Sequence, residues 1–143
     1  MSAKKHHIRL FRRVDKLRIG RRSVPQRCYF VTKTIYSRRN PIIHDARYPT
    51  QDSDTCGILV DALRWLHKND RIKCHGYVIM RDHIHIQFTL GRAQSLSQVV
   101  RSYTTWTARN INEVREASGW FWARDFHDSW IRNDRSFWAH LNY

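Results

Sequence analysis

The sequence predicts an α+β fold, one antiparallel sheet with helices on one face and an added C-terminal helix. Three observations carry the prediction. Stretches rich in β-branched and aromatic residues alternate with stretches of helical periodicity in the order β-α-β-β-α-β-α. The second and third strands are joined by Arg81–Asp82 alone, too short for a crossover, so they form a hairpin. In 143 residues, 41% hydrophobic and 13% aromatic, there is material for one core and no compositional sign of disorder.

Cys28-Tyr-Phe-Val-Thr-Lys-Thr-Ile35 reads as the first strand. Residues 37–54 carry Asn40, Pro41, Pro49 and three Asp and read as a loop. Ser53 or Asp54 is the expected cap of a helix running to about His67, with Ile58, Leu59, Ala62, Leu63 and Leu66 on one stripe. Asn69–Asp70 stops it, and strands Ile72–Met80 and His83–Leu90 follow. Ser95 or Ser97 is expected to open a helix with Leu96, Val99, Val100, Tyr103, Trp106 and Ile111 on its core face, ending near Ser118–Gly119. Phe126–Ile131 reads as a short last strand, and Asn133 caps a final helix from Asp134 onward. This order is that of a ferredoxin-like sandwich. Residues 1–27, polar and basic, read as an arm before a single domain at 28–143.

With 26 Lys+Arg against 12 Asp+Glu the chain carries +14, which points to a polyanion, nucleic acid first. Arg12, Arg13, Arg21, Arg22, Arg38, Arg39, Arg81, Arg101, Arg109, Arg124 and Arg132 are the candidate phosphate contacts. The excess is spread along the chain rather than gathered on one amphipathic helix, which argues against a membrane-surface role. No apolar run approaches the ~18 residues of a membrane span, and the N-terminus lacks a signal peptide's apolar core, so the expected compartment is the cytoplasm. Cys28, Cys56 and Cys74 fit neither a disulfide framework nor a zinc motif and read as small buried apolar residues.

The chemistry-bearing stretch is His83-Ile-His85-Ile-Gln87. Alternation places His83, His85 and Gln87 on one strand face and Ile84, Ile86 and Phe88 on the other. Two imidazoles so placed can clasp a divalent cation, although an exposed, hydrogen-bonded histidine pair is the simpler reading of His-x-His alone. Of the tyrosines, Tyr29, Tyr77 and Tyr103 lie in apolar patterns, whereas Tyr143 closes the last helix beside Asn142.

Several segments, in order, resemble the REP-associated tyrosine transposases, relatives of the single-tyrosine transposases of small bacterial insertion sequences within the HUH endonuclease superfamily. Tyr77-Val-Ile-Met-Arg-Asp-His83-Ile-His85 resembles the family's histidine segment, with Arg81 where the family usually has Pro. Arg21 to Thr32 resembles its basic lead-in and first strand, Ser97 to Asn112 its long helix, and Phe121-Trp-Ala-Arg-Asp-Phe-His-Asp-Ser-Trp-Ile-Arg-Asn133 its "FWQRxYHDxxIRN" segment. The resemblance implies that His83 and His85 hold Mg or Mn and that Tyr143 is the nucleophile. It implies cleavage and rejoining of single-stranded DNA beside a palindromic hairpin through a 5′-phosphotyrosine link, by a nucleoid-associated bacterial monomer or homodimer. In the family a polar residue one turn beyond the tyrosine is thought to complete the metal site; the sequence in hand stops at Tyr143, and Gln87 is the expected partial substitute. The arginines then hold the DNA backbone, and Trp122, Trp130 or Trp138 stacks unpaired bases, against a core role for each as the simpler alternative. Two other functions stand beside it: a non-catalytic DNA-hairpin binder on the same fold, and a nucleotide hydrolase or transferase of the histidine-triad kind, suggested by His83-x-His85-x-Gln87 but fitting fewer of these segments.

Overall fold

A computed structural model describes residues 23–141. Strand β1 (Cys28–Thr34), helix α1 (Pro49–Lys68), strands β2 (Ile72–Ile79) and β3 (His83–Leu90), helix α2 (Leu96–Val114), strand β4 (His127–Ile131) and helix α3 (Asp134–Leu141) follow the predicted order. All strand pairs are antiparallel, in the order β2-β3-β1-β4. The strand bearing the histidines is therefore central, as in a ferredoxin-like sheet.

The two-residue period of β1 and β3 divides the sheet into unlike faces. Tyr29, Val31, Ile84, Ile86, Phe88 and Leu90 are buried on one. There they meet Leu63 and Leu66 of α1 and Val99, Val100 and Tyr103 of α2, which surround a common internal gap with Val31, Ile86 and Phe88. Phe30, Thr32, His83, His85 and Gln87 occupy the opposite face. The added helix α3 lies across part of that second face, its His140 ring 4.6 Å from Phe30, so the three helices are split between the faces.

Three boundaries differ from expectation. Helix α1 begins at Pro49. Pro suits a first helical position because its missing N–H has no partner there in any case, so it marked a start and not a loop. Helix α2 opens as expected at Ser95, in a reciprocal capping box with Gln98, but it ends at Val114. Glu116 then takes a left-handed φ of 51° that breaks the helix before Gly119. Residues 23–27 are bonded to the domain: Ser23 Oγ accepts from Leu96 N, and Gln26 N donates to Leu90 O.

Some residues assigned to the core lie outside it. Trp106 is 47% and Tyr77 45% exposed. Thr107 occupies the buried position beside Trp106, its hydroxyl donating to Tyr103 O and accepting from Trp122 Nε1. The three cysteines are half-buried and unpaired, and burial raises their thiol pKa values.

Candidate active site

The imidazoles of His83 and His85 meet edge to face, with ring centres 4.6 Å apart and Nε2 atoms 3.0 Å apart. Each ring is turned by a bond to its other nitrogen. His83 Nδ1 lies 2.7 Å from Asp82 Oδ1, and His85 Nδ1 lies 2.8 Å from Thr32 Oγ1. A carboxylate only accepts, so the bond to Asp82 requires a proton on His83 Nδ1, and in the neutral form of the ring Nε2 is the acceptor. Phe30 stacks on His85 with ring centres 5.1 Å apart and limits how far that ring can turn.

Electrostatics reinforce the arrangement. The hydrogen bond from His83 is the main force holding the Asp82 carboxyl below its ordinary pKa, and the charge of Arg38 acts in the same direction. Burial, then the neighbouring His83, lowers the His85 pKa and favours the neutral imidazole that binds metals.

A metal seat of two imidazoles fits these coordinates. Two ligand atoms at about 2.1 Å from an ion and at right angles to each other stand about 3.0 Å apart, the separation of the two Nε2 atoms. Among the described residues no group of three or more His, Cys, Asp or Glu surrounds a common point. An ion held here would complete its shell with water or substrate oxygens, as Mg²⁺ commonly does. Gln87 is 1% exposed, its Nε2 donating to Phe137 O of α3 and its Oε1 buried without a partner among the described residues.

The expected arginines are dispersed. Arg38, Arg39, Arg81, Arg101, Arg109, Arg124 and Arg132 are all exposed. The segment 35–43 is bonded to the turn before β3, through Ile35 N to Asp82 O and Ile42 N to Arg81 O. This brings Arg38 and Arg81 to the His83 end of the sheet, where Arg81 also pairs with Asp45. Arg101 and Arg124 instead line a groove of about 660 Å³ with Ser97, Thr104 and exposed Trp120, walled by α2 and residues 119–126. Arg132 stacks on Trp130. Arg12, Arg13, Arg21, Arg22 and Tyr143 lie outside the described residues.

Charge counting missed three features. Arg115 is an internal clamp, donating to Asn40 Oδ1, Pro41 O, Ile42 O and Thr55 Oγ1. Lys33 is 4% exposed, and its ammonium donates to the carbonyls of Ala123, Arg124 and Asp125. Its alternation with Tyr29 and Val31 on β1 was the available signal. Arg27 lies 3.6 Å over the Trp130 ring, on the side chain of an aromatic expected in the core. Trp122 is buried as expected, whereas Trp130 and Trp138 are 40% and 60% exposed.

The family model described as "Transposase IS200 like" matches residues 26–137, and the chain belongs to that family. A search of the curated proteins finds no match. Among solved structures, a REP-associated tyrosine transposase bound to a REP hairpin is similar with a TM-score of 0.62 and 18% identity, over 86% of this chain and 67% of that one. A candidate transposase of Deinococcus radiodurans R1 is similar with a TM-score of 0.57 and 14% identity, over 86% of this chain and 92% of that one. At these identities the likeness is one of fold. No helix among the described residues is long and apolar enough to cross a membrane.

Proposed function

We propose that this transposase-family chain cuts and rejoins single-stranded DNA next to a hairpin, with Tyr143 as nucleophile and His83 and His85 as ligands of Mg²⁺ or Mn²⁺. The observation that carries the reading is the pair of Nε2 atoms 3.0 Å apart, each ring held by a bond to its far nitrogen. The hairpin is inferred from the family and from the ligand of the REP-associated relative, which shares this fold.

A divalent cation in this seat would polarise a non-bridging phosphate oxygen and offset charge as the phosphodiester reacts. Asp82 and Thr32 keep both imidazoles aimed at that seat, so little reorganisation is needed when the cation and phosphate arrive. Arg38 and Arg81, at the same end of the sheet, attract the DNA backbone. The phenol oxygen of Tyr143 forms a bond to phosphorus, the P–O3′ bond breaks, the phenolic proton is lost and the 3′ oxygen gains one. The tyrosyl phosphodiester conserves the bond, so attack by a 3′-OH rejoins DNA without ATP.

The test is incubation with single-stranded hairpin DNA and Mn²⁺ or Mg²⁺. An SDS-stable adduct is expected with the unaltered chain and is expected to vanish with Tyr143→Phe, with His83→Ala or with a chelator. Binding without catalysis should remain in Tyr143→Phe. With roughly 6–10 phosphate contacts its affinity should fall roughly 10³–10⁵-fold between about 50 and 200 mM salt. Tight, salt-sensitive binding with no adduct under any cation would leave only a hairpin binder.

A further inference from the structure

We infer that Gln87 is a positioning residue that latches α3, the helix leading to Tyr143, onto the active face of the sheet. This rests on the reading of Tyr143 as nucleophile. Three strands meet the helix at one place. From β3, Gln87 Nε2 donates to Phe137 O at 3.2 Å. From β1, the Phe30 ring lies 4.6 Å from His140. From β2, His75 meets Phe137 edge to face at 5.1 Å, and Leu141 reaches into the space left by Gly76. A Cβ on Gly76 would stand 2.7 Å from Leu141 Cδ2, so the Leu141 side chain would have to leave its present place against the strand.

The amide of Gln87 is unfavourable as mere packing. Among the described residues its Oε1 is buried without a hydrogen-bond partner, a state that destabilises a fold and that a hydrocarbon side chain would avoid. What a hydrocarbon cannot provide is the bond to the α3 main chain. That bond fixes the helix along its own axis, which ring contacts alone do not. Phe30 connects the two halves of the site, since the ring that meets His140 also stacks on His85. The seat for the helix is therefore continuous with the seat for the cation. Gln87 thereby takes a role different from that of third metal ligand.

Gln87→Met and Gly76→Val separate these roles. The first removes the bond at nearly constant volume. The second fills the space taken by Leu141 with a residue suited to a strand. Expected for Gln87→Met are amide exchange across residues 134–141 faster by about fivefold, the worth of one hydrogen bond, and a comparable drop in adduct formation. Mn²⁺ affinity should stay within about twofold, and overall denaturant stability should be equal or higher because the orphaned Oε1 is gone. Gly76→Val should match it in exchange and adduct rate. Unchanged exchange over 134–141 in both variants overturns the latch, as does a tenfold or greater loss of Mn²⁺ affinity in Gln87→Met. Exchange and Mn²⁺ affinity need no catalysis, so the latch is judged even if the unaltered chain forms no adduct.

Discussion

If outer bonds aim the imidazoles, removing them should weaken the cation site while leaving both ligands in place. Asp82→Ala deletes the 2.7 Å partner of His83 Nδ1, and Thr32→Val deletes the 2.8 Å partner of His85 Nδ1 with almost no change of shape. Losing such a partner typically lowers metal affinity about 10–100-fold, or roughly 1.4–2.8 kcal/mol. Asp82→Ala should fall toward the upper end, because its bond is to a carboxylate and charge-assisted. Thr32→Val should fall near the lower end, since Phe30 still stacks on His85. The assay is Mn²⁺ titration by calorimetry or paramagnetic resonance, with adduct formation measured at low and saturating Mn²⁺. Saturating Mn²⁺ should restore most of the adduct in both variants. Unchanged Mn²⁺ affinity in Asp82→Ala and Thr32→Val together would refute the reasoning, because the rings would then be aimed by the backbone alone.

Two predictions concern the internal cations. Arg115→Met strips hydrogen bonds from Pro41 O, Ile42 O and Thr55 Oγ1 and should cost roughly 3 kcal/mol in urea unfolding; a loss within about 0.5 kcal/mol would mean that water replaces the guanidinium. Burial lowers the Lys33 pKa from 10.5 to about 8, with Asp125 acting in the opposite direction. Between these values the unfolded chain binds more protons, so the contribution of Lys33 to stability rises with pH, by about 3 kcal/mol at most. Relative to Lys33→Met, the unaltered chain should gain stability from pH 8 to pH 10; parallel stability curves would contradict this.

Strand β3 was legible residue by residue, because strict alternation and a two-residue hairpin connection leave one register that buries Ile84, Ile86 and Phe88. The start of α1 was obscured by Pro49, whose meaning depends on whether it precedes or opens a helix. On α2 an exposed Trp106 fell on the apolar stripe while Thr107 supplied the buried bonds, and hydrophobicity alone ranks those two in the wrong order. The imidazole pair was readable from parity. Its supports were not, because Thr32 lies 53 residues away and meets His85 only through strand pairing. Nor was the approach of Arg38 to Asp82, which depends on the path of the 35–43 segment. The seat of α3 needed the helix in place, since a glycine, a glutamine and a phenylalanine on three strands have no common sequence signal.

In the proposed reaction a tyrosine oxygen takes up DNA phosphorus under control of the paired imidazoles. The direct measurement is peptide mass spectrometry of the chain after reaction with hairpin DNA and Mn²⁺. The expected product is a nucleotide joined through its 5′-phosphate to Tyr143, absent from the His83→Ala and His85→Ala variants. An acid-labile nucleotide on a histidine, or full modification of Tyr143 without any cation, would contradict it.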